Sequence, residues 1–305
     1  MNELIVFTHN DLDALGCMLH LEYKFPTVPK KYFHTNYANI IELTDEILTY
    51  RKQNGNTHIV IPDVSFGDNK ESLRKIYNAF DNVTHIDHHL YADGFWDEFP
   101  NMKVVWDKSV CATTLCARYF GNEGQNKNLD KLTYIIDVYD MWRVKSEHFH
   151  IAQDLNEYFW NTEKTDLCKI IVDNEYKLPD NYMETVQFIH NEFEAALKDY
   201  ESRNMIYRAG EITLAFVQEW FNQILIREMD AGKNFVIGIN PWGLIKVRVN
   251  QDAPYTHKQL NKLRLVLTGT ETTGHMHAFT YKINGSGLDA LMAEAQKVTE
   301  AIGNL

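Results

Sequence analysis

The chain reads as an α/β protein: a parallel-sheet N-terminal domain, a helical connector, and a smaller α/β domain at the C-terminus. Three observations point to this. Short apolar runs alternate with helical patterns through the first half, which is the rhythm of a parallel sheet covered on both faces. A long amphipathic stretch then carries Tyr182, Val186, Ile189, Phe193, Leu197 and Tyr200 at three-to-four spacing, one continuous helix face. Strand signals return after it, and 305 residues are enough for two cores. The boundaries expected are 1–180 for the first domain, 181–208 for the connector and 209–305 for the second.

In order, the strand Leu4–Phe7 leads to a helix at about Ala14 to Tyr23. A strand near Tyr32-Phe33 precedes a helix Ile40–Tyr50, stopped by Asn54-Gly55. The strand His58–Ile61, the helix Lys70–Phe80, the strand Val83–Ile86 and a strand at Val104-Val105 come next. Ser109 is the expected N-cap of a helix reaching Tyr119 and ending at Gly121. From Leu129 to about Tyr207 the pattern is mainly helical. Later strands are expected at Thr213–Val217, Phe235–Ile239, Ile245–Val249 and Ala278–Ile283, and a last helix capped by Ser286 carries Leu288, Leu291, Met292, Ala295, Val298 and Ile302. No internal repeat or low-complexity linker interrupts this order.

Apolar residues make up 45% and charged residues 24%, with a formal charge of −12. That balance excludes a disordered chain and a general basic surface for gripping nucleic acid. A polyanionic substrate must then be held locally. The stretch Leu244 to Arg264 sets Lys246, Arg248, Lys258, Lys262 and Arg264 against Asp252 alone; it reads equally as a phosphate-binding wall or as a solvated helix face. Cys17, Cys111, Cys116 and Cys168 have no C-x-x-C spacing and read as reduced core thiols. No leader-like segment and no stretch of about 18 apolar residues is visible, so a cytoplasmic protein that does not span a membrane is expected.

The residues with chemistry to offer stand just past the strands. His9-Asn10-Asp11-Leu12-Asp13 lies after the first, Asp63 closes the third, and Asp87-His88-His89 lies after the fourth. In an open α/β sheet the ligand crevice lies beyond the carboxyl ends of the strands, so these groups should converge. Either Asp11 or Asp13 could simply cap the next helix, but capping occupies one carboxylate and leaves His9 and the other unexplained. Converging carboxylates and imidazoles need a cation, and this donor mixture suits Mn2+, Fe2+, Co2+ or Zn2+. So many acidic donors imply two ions sharing a carboxylate, a centre that makes a nucleophilic hydroxide and neutralises a phosphoryl group.

The same residues resemble the DHH phosphoesterase superfamily, which includes RecJ-type exonucleases, nano-RNases and family II pyrophosphatases. The matching segments are Thr8 to Gly16, Pro62-Asp63, Asp87-His88-His89 and an acidic motif within Ile136 to Trp142. Ser109 to Leu115 is similar to the small-residue helix that comes next in the family. Thr273-Gly274-His275-Met276-His277-Ala278 is similar to the Gly-Gly-His-x-x-Ala signature of the associated C-terminal domain, DHHA1, with Thr273 in place of the first glycine. Ala14 stands where the family has glycine after the second Asp.

The resemblance implies a hydrolase of phosphodiester bonds with two divalent cations, Mn2+ preferred. One would be held by His9, Asp11 and Asp63, the other by Asp13, Asp63, His88 and Asp137. The fourth motif also offers Asp140, which spacing does not exclude; Asp137 is preferred. His89 would face the substrate phosphate, with Asp87 orienting a neighbouring histidine, while Gly274, His275 and Arg248 would bind substrate. The first expected substrate is a short oligonucleotide cut to mononucleotides. A signalling nucleotide such as pAp or a cyclic dinucleotide is the second, and processive single-strand exonuclease action the third. Pyrophosphate is less favoured, because the C-terminal signature belongs to the nucleotide-handling branch. A regulatory protein with a vestigial site is disfavoured by the complete donor set. A homo-oligomer is left open.

Overall fold

The computed structural model describes residues 3–36, 38–55, 58–67, 69–162, 164–269, 277–283 and 287–305. The chain divides into two compact units, Met1–Val186 and Gln187–Leu305.

In the first unit, β1 (Leu4–His9), β2 (Lys30–Thr35), β3 (His58–Pro62), β4 (Asn82–Asp87) and β5 (Lys103–Trp106) form one parallel sheet in the order β2-β1-β3-β4-β5. The helices α1 (Leu12–Lys24), α2 (Ile40–Asn54), α3 (Lys70–Ala79), α4 (Ala112–Phe120) and α5 (Lys127–Asp140) surround it, followed by α6 (Phe149–Trp160) and α7 (Lys164–Asp173). Alternate residues of each strand serve opposite faces. Ile5, Phe7, Ile59, Ile61 and Val83 pack with Ile40 and Ile47 of α2 and Leu73 and Ile76 of α3. Leu4, Val6, Val60 and Ile86 pack with Cys17 and Leu21 of α1 and with Ala112, Leu115 and Cys116 of α4. Burial on both faces is why these strands read as apolar runs.

The strand order reverses at β1, and the crevice of this doubly wound order opens between the carboxyl ends of β1 and β3. His9 ends the first of these strands and Asp63 comes directly after the second. Topology therefore positions the site.

In the second unit, the helix α8 (Tyr182–Ser202), which begins at the end of the first, leads to β6 (Ile206–Ala209), β7 (Ile212–Phe216), α9 (Phe221–Asp230), β8 (Phe235–Ile239), β9 (Leu244–Val249), α10 (His257–Thr268), β10 (Ala278–Lys282) and α11 (Leu288–Gly303). The sheet order is β10-β9-β8-β7-β6, with only β7 and β8 parallel. Phe235, Ile237, Ile245, Val247, Val249 and Phe279 pack on Leu260 and Leu263 of α10 and Leu291, Ala295 and Val298 of α11. The other face meets α9 so closely that a Cβ at Gly238 would lie 2.1 Å from the Phe221 ring.

Three expectations change. The helical region does not run to Tyr207, because Asn204 at φ 55° turns the chain into the edge strand β6, which has too few buried positions to show a pattern. Ser109 is not the cap of α4; that residue is Cys111, and acidic side chains from elsewhere satisfy the helix's first N–H groups. Ser286 lies outside the described residues, and α11 starts after Gly287.

Candidate metal centre

Asp11 does cap α1: one carboxylate oxygen accepts the Ala14 N–H at 3.0 Å. Its other oxygen lies 2.6 Å from His9 Nδ1. Removal from water would raise the Asp11 carboxyl, but His9 and the Ala14 N–H outweigh that and hold it below the ordinary carboxylate range. Asp13, buried in the first turn of α1, caps a different helix. Its oxygens accept the Ala112 and Thr113 N–H groups of α4, both at 2.8 Å, and Thr113 Oγ1 donates to the Asp13 carbonyl at 2.8 Å. Gly16 permits this approach, because a Cβ there would lie 2.0 Å from Thr113 Oγ1.

Asp63 leaves β3 with φ at 56°, a left-handed conformation that costs a non-glycine residue about 1 kcal/mol or more. Its N–H still donates to Ile86 O at 2.9 Å, so the strain aims the side chain without breaking the sheet edge. The carboxylate is buried. Oδ1 lies 3.5 Å from His88 Nε2 and Oδ2 3.9 Å from His9 Nδ1, and Oδ2 accepts no hydrogen bond. Burial, reinforced by Asp11, Asp13, Asp140 and Asp87, pushes the Asp63 carboxyl well up.

In the Asp87-His88-His89 run the three side chains separate. Asp87 Oδ1 accepts from the His88 N–H at 2.8 Å and from His89 Nδ1 at 2.7 Å, while Oδ2 accepts from the Tyr91 hydroxyl. Burial would raise its carboxyl, yet His89, with help from His85 and His88, holds it low. The geometry thus gives Asp87 the orienting contact to His89. His88 Nε2 faces three carboxylates: Asp63 and Asp140 Oδ2, each at 3.5 Å, and Asp13 Oδ2 at 3.7 Å. His85 turns away and bonds Val64 O at 2.9 Å.

The fourth motif differs from the sequence preference. Asp137 Oδ1 accepts the Cys111 N–H at 2.9 Å, and Oδ2 accepts from Arg143 Nε at 2.7 Å. Arg143 Nη2 also donates to Ser109 O at 3.0 Å. Both oxygens of Asp137 are thus engaged in fastening the start of α4. Asp140, one turn on, points into the site, and its buried Oδ2 accepts no hydrogen bond. Burial, then Asp13 and Asp11, pushes its carboxyl well up, with His89 opposing. Asp140, and not the preferred Asp137, is the one gathered with Asp13 and His88. Trp142 at φ 52° makes the turn that brings Arg143 back onto Asp137.

Three groups of donor atoms, each gathered within 4.8 Å, result: His9, Asp11 and Asp63; Asp13, His88 and Asp140; and Asp63, Asp87, His88 and His89. Asp63 belongs to two of them. Unmatched buried carboxylate oxygens on Asp63 and Asp140, in a set of oxygen and imidazole donors, fit divalent cations.

In the second unit, Arg248 and Lys246 share the face of β9 opposite Ile245, Val247 and Val249. Lys246 Nζ lies 5.1 Å from the Phe221 ring centre, and burial, then Arg248, pushes its amine down to about 8. Lys258 and Lys262 are exposed on α10, which packs on the other face, and Arg264 is buried. The five cations do not form one wall. Gly274, His275 and Thr273 lie outside the described residues.

No protein-family model and no curated protein matches the chain. Solved structures do. RecJ from Thermus thermophilus, in complex with Mn2+, superposes with a TM-score of 0.66 at 13% identity, over 100% of this chain and 52% of that one. The chain has the RecJ fold. It spans about half the length of that protein. A second exonuclease RecJ, bound to manganese, gives 0.57 at 15% identity over 99% and 90% of the two chains. A pGpG-specific phosphodiesterase, PggH from Vibrio cholerae, gives 0.59 at 14% over 99% and 100%. This is the fold the DHH resemblance implies. Among the described residues, no helix is long and apolar enough to cross a membrane.

Proposed function

We propose that the chain is a DHH-type, two-metal phosphodiesterase that hydrolyses short oligonucleotides to mononucleotides. The observation that carries this is Asp63, which is grouped with His9 and Asp11 and also lies 3.5 Å from His88 Nε2, the atom that faces Asp13 and Asp140, with one buried oxygen unmatched. His9, Asp11 and Asp63 would hold one cation; Asp13, Asp63, His88 and Asp140 the other, Asp140 replacing Asp137. Manganese is preferred on the mixed carboxylate–imidazole donors. Such a pair supplies a water-derived nucleophile at neutral pH and neutralises charge on a phosphoryl group.

The chain's own residues do the rest. Asp87 fixes the His89 ring through Nδ1, and the His89 imidazole would meet a substrate phosphate. Residues 1–180 would be the catalytic domain, 181–208 the connector and 209–305 a DHHA1-like substrate-binding domain using Arg248, Gly274 and His275. Cys17, Cys111, Cys116 and Cys168, all free and buried, fit a cytoplasmic protein.

A second reading, a signalling dinucleotide as substrate, is supported by PggH, which is described as pGpG-specific and matches this chain from end to end. The test is the purified protein with Mn2+ against di- to pentanucleotides, pAp, cyclic dinucleotides and a long single strand. Release of mononucleotides from the short linear substrates is expected. Asp63→Ala should abolish turnover and metal binding with an unchanged circular dichroism spectrum. Full activity of that variant, or a wild-type protein that binds Mn2+ yet cleaves no phosphodiester, would overturn the proposal.

A further inference from the structure

Trp106 is the last residue of the edge strand β5, in register with Asp87 on β4. Trp106 is 43% exposed, beside a DHH loop whose Leu90 is 47% exposed. Strand ends tolerate a stray apolar residue, but this ring is not loose. Its Nε1 donates to the His89 carbonyl at 2.7 Å, a short hydrogen bond that satisfies the one polar group of the indole. The ring is thus oriented by the residue whose imidazole belongs to the metal-donor groups.

We propose that Trp106 is a stacking platform for a nucleobase of the substrate, selecting base-bearing phosphodiesters over bare phosphate compounds. The inference rests on the phosphodiesterase reading above and adds a substrate-recognition residue within the first unit. Three physical points support it. An indole whose N–H is already bonded offers only its π-face and edge to a ligand, and every base can stack on that face, so selection is for a base and not for a sequence. A ring already held in place loses little freedom on binding, which favours affinity. The anchor is the backbone of residue 89, so the indole is tied to the residue whose imidazole would meet the phosphate. A pyrophosphate substrate would leave the indole unused.

The experiment compares wild type, Trp106→Ala and Trp106→Phe on a dinucleotide and on an abasic analogue with the same phosphodiester. Two readouts are taken: kcat/KM with Mn2+, and equilibrium binding by titration calorimetry with Ca2+ in place of Mn2+. The ratio of dinucleotide to abasic substrate isolates the base, because a shift of His89 on losing the indole N–H affects both substrates alike. The expected result is a fall of that ratio by about five- to a hundred-fold in Trp106→Ala, with most of it restored in Trp106→Phe. An unchanged ratio in both readouts overturns the platform even if turnover is normal. Base-dependent binding that needs Trp106, without any turnover in the wild type, supports the platform and refutes the phosphodiesterase reading. Absence of both refutes the two together.

Discussion

Asp137 and Asp140 sit one helical turn apart, and replacing each by asparagine should produce opposite phenotypes. In Asp137→Asn one amide oxygen can still accept the Cys111 N–H, but the amide NH2 then meets the Arg143 Nε–H, donor against donor. A hydrogen bond to a charged group is worth about 1.5–3 kcal/mol. Arg143 is 41% exposed and can swing into water, so roughly 1–2 kcal/mol is the expected loss. For a unit of this size that is a fall of several degrees in Tm. Metal binding should change within about ten-fold, the mild end for a residue that only fastens the surroundings of a donor.

Asp140→Asn reverses both readings. Its Oδ2 accepts no hydrogen bond, and its charge is opposed by Asp13 and Asp11, so the metal-free protein should be as stable as wild type or more so. A direct donor is lost, and Mn2+ affinity at one site should drop by more than about 100-fold. Calorimetric unfolding of the EDTA-stripped proteins gives the first quantity and Mn2+ titration the second. If Asp137→Asn loses the ion and Asp140→Asn only loses stability, the donor is Asp137 and the geometric argument is wrong.

Two further outcomes concern the packing beneath the site. His20 is fully buried between Thr133 Oγ1 at 2.8 Å and the Asn122 amide at 3.2 Å, and burial pushes its imidazole down to about 4 from 6.5. The unfolded chain therefore binds the extra proton first, so His20 contributes stability above about pH 6.5 that is lost as pH falls to about 4, roughly 3 kcal/mol in all; the stability difference between wild type and His20→Gln should shrink by that amount across the window, and a constant difference refutes it. Gly16→Ala would push a methyl into Thr113, costing about 1–3 kcal/mol and loosening Asp13, so Tm and Mn2+ affinity should fall together in unfolding and titration experiments; a variant with wild-type values of both would show that α4 can shift without disturbing the site.

Much of this was legible in the chain itself. The parallel sheet was, because strands covered on both faces leave apolar runs such as Leu4–Phe7 and His58–Ile61, and helices with one buried stripe separate them. Convergence of His9, Asp11, Asp63 and His88 came from one rule about where strands of such a sheet end. The caps of α4 were not legible. Asp13 and Asp137 reach it across 99 and 26 residues, and a local pattern instead favoured Ser109. The mixed order of the second sheet left no trace either, since β6 is a mostly exposed edge and pairing direction is set by tertiary contacts.

The choice between Asp137 and Asp140 shows why residue roles resist reading from spacing. Two aspartates three apart on a helix share a face, and either could reach the crevice. Arg143 and the Cys111 N–H occupy both oxygens of Asp137, and that favours Asp140 as the donor. The same reasoning explains what the fold tolerates around Asp63. A left-handed backbone, a buried carboxylate oxygen with no donor and a carboxyl pushed up by burial and by four neighbouring aspartates are each unfavourable for the chain alone. Unfavourable features persist where the surroundings over-determine them, and they concentrate at functional sites. Asn at 63 would lift the charge repulsion and Gly would lift the backbone strain, so stability gives no reason to retain Asp there. The two-cation reading would supply one, because both donor sets proposed for the cations draw on Asp63.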